Sequence, residues 1–284
     1  MTSPRILALT SLTMIAFAGN SLLCREALTG TTIDPASFTS IRLASGALLL
    51  WVVVRCGRSG RPGRGDWRSA FALFAYAAGF TFAYVSLPAA TGALLLFGAV
   101  QATMIGYALW SGERLLRPQV VGLLLALGGL VGLLLPGLSA PPLAGALLML
   151  GAGVAWGVYS LRGAGEDNPT LVTAGNFLRA ALLSLGLSLL LSHHMSLDSS
   201  GVGYAIASGA LASALAYAIW YAVLPALKAT SAATVQLSVP VLAALGGVLL
   251  LGEPITLRLV LASVAILGGI ALVVRGRLRS QPDE

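Results

Sequence analysis

A chain whose second half repeats its first, with an odd number of apolar segments in each copy, has few ways to fold. Asp34-Pro35 is answered by Asn168-Pro169, Arg42 by Arg179, and Tyr84 with Leu87-Pro88 by Tyr221 with Leu224-Pro225. Ala90-Thr91 returns as Ala229-Thr230, Gly112-Glu113 as Gly252-Glu253, and Gly128-Gly129 as Gly268-Gly269. The offset grows only from 134 residues at Asp34 through 137 at Arg42 to 140 at the glycine pairs, so short loop insertions separate the copies. Five membrane crossings per copy place the two halves in the bilayer upside down relative to one another. We therefore expect an all-α membrane protein of ten transmembrane helices, arranged as two inverted five-helix repeats around a central cavity. The repeats are expected to occupy residues 1–138 and 139–284.

Composition supports lipid as the solvent. Hydrophobic residues make up 57% of the 284 and charged residues 10%, whereas a soluble domain carries roughly 25% charged. At about 20 residues per span, ten spans and short connections fill the chain. The apolar runs predict helices near 5–26, 35–55, 68–87, 90–111, 118–136, 142–162, 169–191, 201–224, 229–251 and 256–275. Pro35, Pro118, Pro142 and Pro169 fall at helix starts, where the missing N–H is harmless. Pro240 falls mid-span and is expected to bend its helix. The Arg/Gly-rich stretch 56–67 reads as a flexible cytoplasmic loop.

The net charge of +7 sets topology. With the N-terminus inside, thirteen Lys and Arg residues fall on the cytoplasmic side and only Arg25 and Arg258 outside, as the positive-inside rule requires. Both termini are then cytoplasmic, and no nucleic-acid partner is expected. The first apolar run lacks a small-residue cleavage site and is read as a true span, not a secretory signal. Cys24 and Cys56 lie at opposite ends of the first two spans, too far apart to pair. No Gly-rich phosphate loop ends in Lys-Ser or Lys-Thr, so an ATPase would have to be a separate chain. The single lysine, Lys228, lies in a loop, which argues against a retinal Schiff base. His193 and His194 sit in an outer loop and no acidic pair lies mid-span, so neither an enzyme, a metal nor a cofactor is expected.

Ionisable and polar groups inside a bilayer are costly, and each is a candidate for function. Arg42 lies two turns into the second span and Arg179 near the middle of the seventh; either can clamp a carboxylate or cap backbone carbonyls of a neighbour. Asn20, Gln101, Asn176 and Gln236 are amides near mid-span, each either interhelical glue or a cavity wall. Gln101 has no amide partner in the second repeat, as a pocket for an asymmetric solute would show. Tyr76, Tyr84, Trp156, Tyr159, Tyr217 and Tyr221 lie deep enough to wall a cavity for flat or cationic solutes. Trp51, Trp67 and Trp110 fit interfacial anchors. Glu26, Glu113 and Glu253 lie at span ends, so no buried-carboxylate proton relay is visible. Small residues on the fifth and tenth spans (Gly122, Gly128, Gly129, Gly132; Ala262, Ala265, Gly268, Gly269) favour close helix packing within one chain over a dimer contact.

In this ordered pattern, together with Pro-Ala-Ala-Thr-Gly-Ala at 88–93, the chain resembles the drug/metabolite transporter superfamily, specifically its ten-span EamA-type carriers. In general similarity it resembles the YddG branch of bacterial inner-membrane exporters of aromatic and other amino acids. The resemblance implies a basket-like bundle whose cavity is lined by spans one, three, four, six, eight and nine, with five and ten peripheral. It places Asn20, Tyr76, Tyr84, Gln101, Trp156, Tyr159, Tyr217 and Gln236 on lining helices as candidate substrate-binding residues. What it implies is a carrier for a small-molecule substrate such as an amino acid or amphipathic metabolite, monomeric or homodimeric in the lipid bilayer, exporting by alternating access.

Overall fold

The computed structural model describes residues 3–56, 65–112, 116–137, 140–163, 166, 168–223, 226–227 and 235–280, with side chains from 4 to 273. The Arg/Gly-rich stretch from 57, Glu113, Leu224-Pro225, Ala229-Thr230 and the expected start of the ninth span lie outside the described residues. Among the described residues every regular element is helical. The helices are α1 (Ser3–Gly30), α2 (Pro35–Cys56), α3 (Trp67–Tyr84), α4 (Ala89–Trp110), α5 (Arg117–Leu134), α6 (Leu143–Gly163), α7 (Pro169–Leu190), α8 (Ser199–Val223), α9 (Ser238–Leu251) and α10 (Leu257–Ser280). Seven of them are long and apolar enough to cross a membrane by length and composition, and α3, α9 and α10 complete the ten. At 18 residues α3 rises about 27 Å, close to the thickness of a hydrocarbon core. Large apolar side chains point outward all round the bundle, with Trp110 86% exposed at a helix end; such a surface belongs in lipid.

The repeated dipeptides are helix starts. Asp34 Oδ1 accepts the Ala36 and Ser37 N–H groups, and Asn168 Oδ1 accepts that of Leu171. In each case a proline follows as the first helical residue, the arrangement that leaves fewest donors orphaned. Asp34 also accepts from the Ser196 N–H, tying the α1–α2 corner to the α7–α8 corner. Partial burial pushes the Asp34 carboxyl up, but hydrogen bonds from Ser37, Ser196 and Ala36 outweigh it and hold the group below its ordinary value. This contribution to stability is present above the ordinary carboxylate pKa and is lost as pH falls through the lowered one. The Gly-Glu dipeptides are helix ends: Gly112 (φ 92°) closes α4, and Gly252 (φ 65°) closes α9 with the Glu253 N–H returning to the Gly247 carbonyl. Only glycine enters that left-handed region without cost.

Packing obeys the repeat. The equivalent helices α2 and α7 pair with each other, as do α5 and α10. Around them, α3 on α6 is matched by α1 on α8, α4 on α6 by α1 on α9, and α3 on α7 by α2 on α8. Each contact recurs with the repeats exchanged, which is what two inverted five-helix units related by a two-fold axis produce. The small-residue stripe is used inside the chain. A Cβ on Gly122 would stand 2.5 Å from the Gly269 carbonyl oxygen, and one on Gly129 2.7 Å from the Ala265 Cβ. Gly128, Gly132 and Gly268 face open space instead. Gly122→Val should therefore lower the melting temperature of the detergent-solubilised protein, by the roughly 1–3 kcal/mol that overpacking costs.

Two helices depart from the regular rods that the apolar runs suggest. In α8, residues Ala207–Leu215 form a π-helical segment, where Gly209 presses its backbone onto the Arg42 carbonyl and the Ser45 side chain of α2. The widened turn lets α8 approach α2 without a Cβ between them. The break expected at Pro240 falls one turn earlier, at a turn on Leu237 between helical 235–236 and Ser238–Leu251. Proline cannot donate to the carbonyl four residues back and its ring crowds that position, so Gln236–Leu237 yields while Pro240 sits in a fresh first turn.

Candidate functional site

The centre of the bundle holds a chain of polar groups inside a shell of rings. Tyr76 of α3 accepts hydrogen bonds from Arg42 Nη2 (2.9 Å) and from Asn20 Nδ2 (3.3 Å). Asn20 Oδ1 accepts from Ser208 (2.6 Å), and Arg42 Nη2 also donates to Ser213 (3.3 Å). Arg42 is only 1% exposed and its guanidinium lies over Phe80 (4.8 Å) and Tyr76 (5.2 Å). Its Nη1 is buried and has no hydrogen-bond partner among the described residues. Trp156 stands between Tyr76 and Tyr217, each 4.9 Å away between ring centroids. Phe17 and Phe177 meet the Tyr217 ring edge-on.

These residues enclose a cavity of about 20 Å³, with walls from α1, α3, α4, α6 and α8, among them Phe17, Asn20, Tyr76, Trp156 and Tyr217. That is room for one water molecule. Five of the six spans that the resemblance implied as lining do line it; α9 packs on α1 and α4. A larger apolar groove of about 400 Å³ lies between α4, α9 and α10 and includes Pro240. Its wall carries one hydroxyl, Ser263, and no ionisable side chain, so it offers a lipid chain a seat and a polar solute none.

The repeat offset explains the geometry of Arg42. Ser213 follows Tyr76 by the same 137 residues that separate Tyr221 from Tyr84, and Tyr217 follows Phe80 likewise. Arg42 thus bonds to the same position in each repeat. Its own counterpart does otherwise: Arg179 donates to the Gly175 carbonyl of its own helix and lies over Trp67 at 5.8 Å. One arginine of the pair enters the centre and the other reaches the bundle's edge.

The remaining candidates disperse. Tyr84 is buried at the α3–α4 corner, its hydroxyl on the Ala89 carbonyl and its ring against Phe80. Tyr159 stacks on Trp156 at 5.5 Å and turns toward a second small space with Thr173, Asn176 and Tyr221. Asn176 accepts the Asp66 N–H and so anchors the start of α3. Gln101 is buried in α4 apart from the residues that wall the central cavity. Gln236 lies beside the turn that opens α9, half-buried.

At each end of the bundle an ion pair that composition alone did not single out ties helix corners together. At the end where α1 terminates, Arg25 donates to Glu253 (3.1 Å) and to the carbonyls of Tyr84 and Val85, while Glu253 accepts the Ala89 N–H. Three corners of the bundle meet in that cluster, beside an open cavity of about 230 Å³. At the opposite end Arg162 donates to Asp66 (3.0 Å) and Ser69 (2.9 Å). Burial raises the Asp66 carboxyl, but Ser69, the Arg162 charge and the Arg68 N–H hold it below its ordinary value. Arg162 follows Arg25 by 137 residues, so the two arginines occupy equivalent places in the inverted halves, while their acidic partners, Asp66 at the start of α3 and Glu253 past the end of α9, do not. That spacing is the signal by which the sequence could have paired the two arginines.

Known proteins fit this architecture. Over 281 residues, 98% of this chain and 97% of the other, the sequence is 59% identical to an uncharacterized protein of Pseudomonas aeruginosa. An uncharacterized transporter of Archaeoglobus fulgidus is 27% identical over 266 residues, which is 86% of this chain and 90% of that one. A solved crystal structure of another protein superposes with a TM-score of 0.69 at 22% identity, covering 96% of this chain and 98% of its own, a likeness of fold. Residues 143–275 match the sequence model of the EamA-like transporter family; these are α6 to α10, the unit that α1 to α5 repeat. The chain is therefore a multi-pass membrane protein of the EamA-like transporter family, within the drug/metabolite transporter superfamily.

Proposed function

We propose that this transporter exports amino acids, the aromatic and other neutral ones, across the bacterial inner membrane by alternating access. The observation that carries this reading is the small central cavity, walled by rings from both repeats and by the Asn20 amide, in a bundle tied at each end by an ion pair. A space for one water in a carrier's middle is an occluded state; rocking one repeat against the other would enlarge it toward one face at a time. Tyr76, Trp156 and Tyr217 offer faces and edges to a flat side chain, and Asn20 offers a polar contact, with Arg42 behind the Tyr76 and Phe80 rings. The distribution of Lys and Arg supports cytoplasmic termini, which makes the Arg25–Glu253 clasp the outer one. The repeat boundary is proposed at residues 138/139. Export of a cationic drug is the weaker reading, because Arg42 sets a like charge beside the same rings.

Purified protein in vesicles preloaded with unlabelled phenylalanine should accumulate labelled phenylalanine by counterflow at least tenfold faster than empty vesicles. Absence of exchange for every neutral amino acid tried would sink the proposal.

A further inference from the structure

We infer that Arg42 is the seat for an anionic group of the solute, and that the carrier selects aromatic carboxylates without requiring an amino group. The inference rests on the reading of the central cavity as the transport site. An arginine stays protonated at any physiological pH, and a buried charge without a counter-ion is the least tolerable arrangement in a protein interior. A guanidinium serving only as scaffold would be met by a carboxylate or by backbone carbonyls, as Arg25 is. Arg42 is met by two hydroxyls, two ring faces and, at Nη1, no hydrogen-bond partner among the described residues. The groups that meet it, the Tyr76 and Ser213 hydroxyls and the Phe80 ring, include no carboxylate. The ligand it lacks is an anion.

The position suits a substrate. Tyr76 and Phe80, the rings beneath the guanidinium, also wall the cavity, so Arg42 borders it directly behind them. A carboxylate could take Nη1 with one oxygen and displace the long 3.3 Å bond to Ser213 with the other, the paired geometry that guanidinium favours. The aryl group would then lie among Tyr76, Trp156 and Tyr217. Among the described residues no acidic side chain lines the cavity, and the Asn20 carbonyl oxygen is already engaged by Ser208. An α-ammonium would find no counter-charge there and would face the charge of Arg42. A 2-oxo acid or arylalkanoate therefore fits as well as the corresponding amino acid, and an amine does not fit.

The test measures binding independently of transport, by melting-temperature shift of the purified protein with phenylpyruvate, phenylalanine or phenethylamine. Phenylpyruvate should stabilise the protein at concentrations within about threefold of phenylalanine, and phenethylamine should have no effect at a hundredfold excess. Arg42→Gln should abolish the shift with phenylpyruvate. Should Arg42→Gln fail to fold, Arg42→Lys keeps the charge without the fork and should need at least tenfold more ligand. Equal stabilisation by the amine, an undiminished shift in the Arg42 variants, or no shift with the acid would overturn the inference. Failure of amino-acid counterflow alongside an Arg42-dependent shift with phenylpyruvate would overturn the proposed cargo instead, and leave the seat standing.

Discussion

In a Cys56→Ser background, Glu253→Gln should make Cys24 react about tenfold faster with a membrane-impermeant maleimide added from the face that carries the Arg25 clasp. Cys24 is completely buried and precedes Arg25 in α1, so it reports whether that end of the bundle stays shut. The side chains of Arg25 and Glu253 are 20% and 12% exposed. Their pairing should therefore lie between the 0.2–1 kcal/mol of an open surface pair and the 3–5 kcal/mol lost on breaking a buried one. An intermediate loss of about 1.4 kcal/mol is tenfold in the population of the open form. Glutamine can still accept the Ala89 N–H that Glu253 holds at 2.8 Å, so the corner keeps its cap while Arg25 loses both the charge and the acceptor at Oε1. An unchanged reaction rate would mean that the cluster merely caps helix ends.

Trp156→Ala should reduce counterflow at least tenfold per folded molecule, while Trp156→Phe should remain within threefold of the native rate. The indole touches Tyr76, Tyr217 and Tyr159, and so links α6 to both α3 and α8. Truncation empties the largest ring from a wall that surrounds only about 20 Å³. Trp→Ala changes in packed cores cost about 3–5 kcal/mol, so a large drop in melting temperature should accompany the loss of transport. Phenylalanine keeps an apolar ring there, and its comparison with alanine separates the need for a ring from the indole N–H. Equal rates in all three proteins would show that the wall contributes packing alone.

What could be read from the residues was whatever depends on spacing. The duplicated Asp-Pro and Asn-Pro starts and Gly-Glu ends are local stereochemistry, and they fold as their residue types require. Helix positions followed because lipid demands long apolar runs with internal hydrogen bonds. Facing was less legible. Tyr84, Gln101, Asn176 and Gln236 looked equivalent to Asn20 and Tyr76, because a helix apolar on all sides carries no stripe to say which side meets its neighbours. The π-helical turn in α8 was invisible for a different reason: it arises from the contact of Gly209 with the Arg42 carbonyl, two residues far apart in the chain. The clasps were overlooked because charges at span ends look like ordinary anchors until the partner corner is in place.

A perfectly duplicated carrier would spend equal time open to each side, since swapping the shapes of its two halves turns one end state into the other at no net energy. Here the swap is unequal: the Arg42 guanidinium meets a phenol in one half and a serine in the other, while its twin lies over Trp67. If the protein works by the proposed alternation, its resting population should lean toward one side of the membrane even when no solute gradient pushes it.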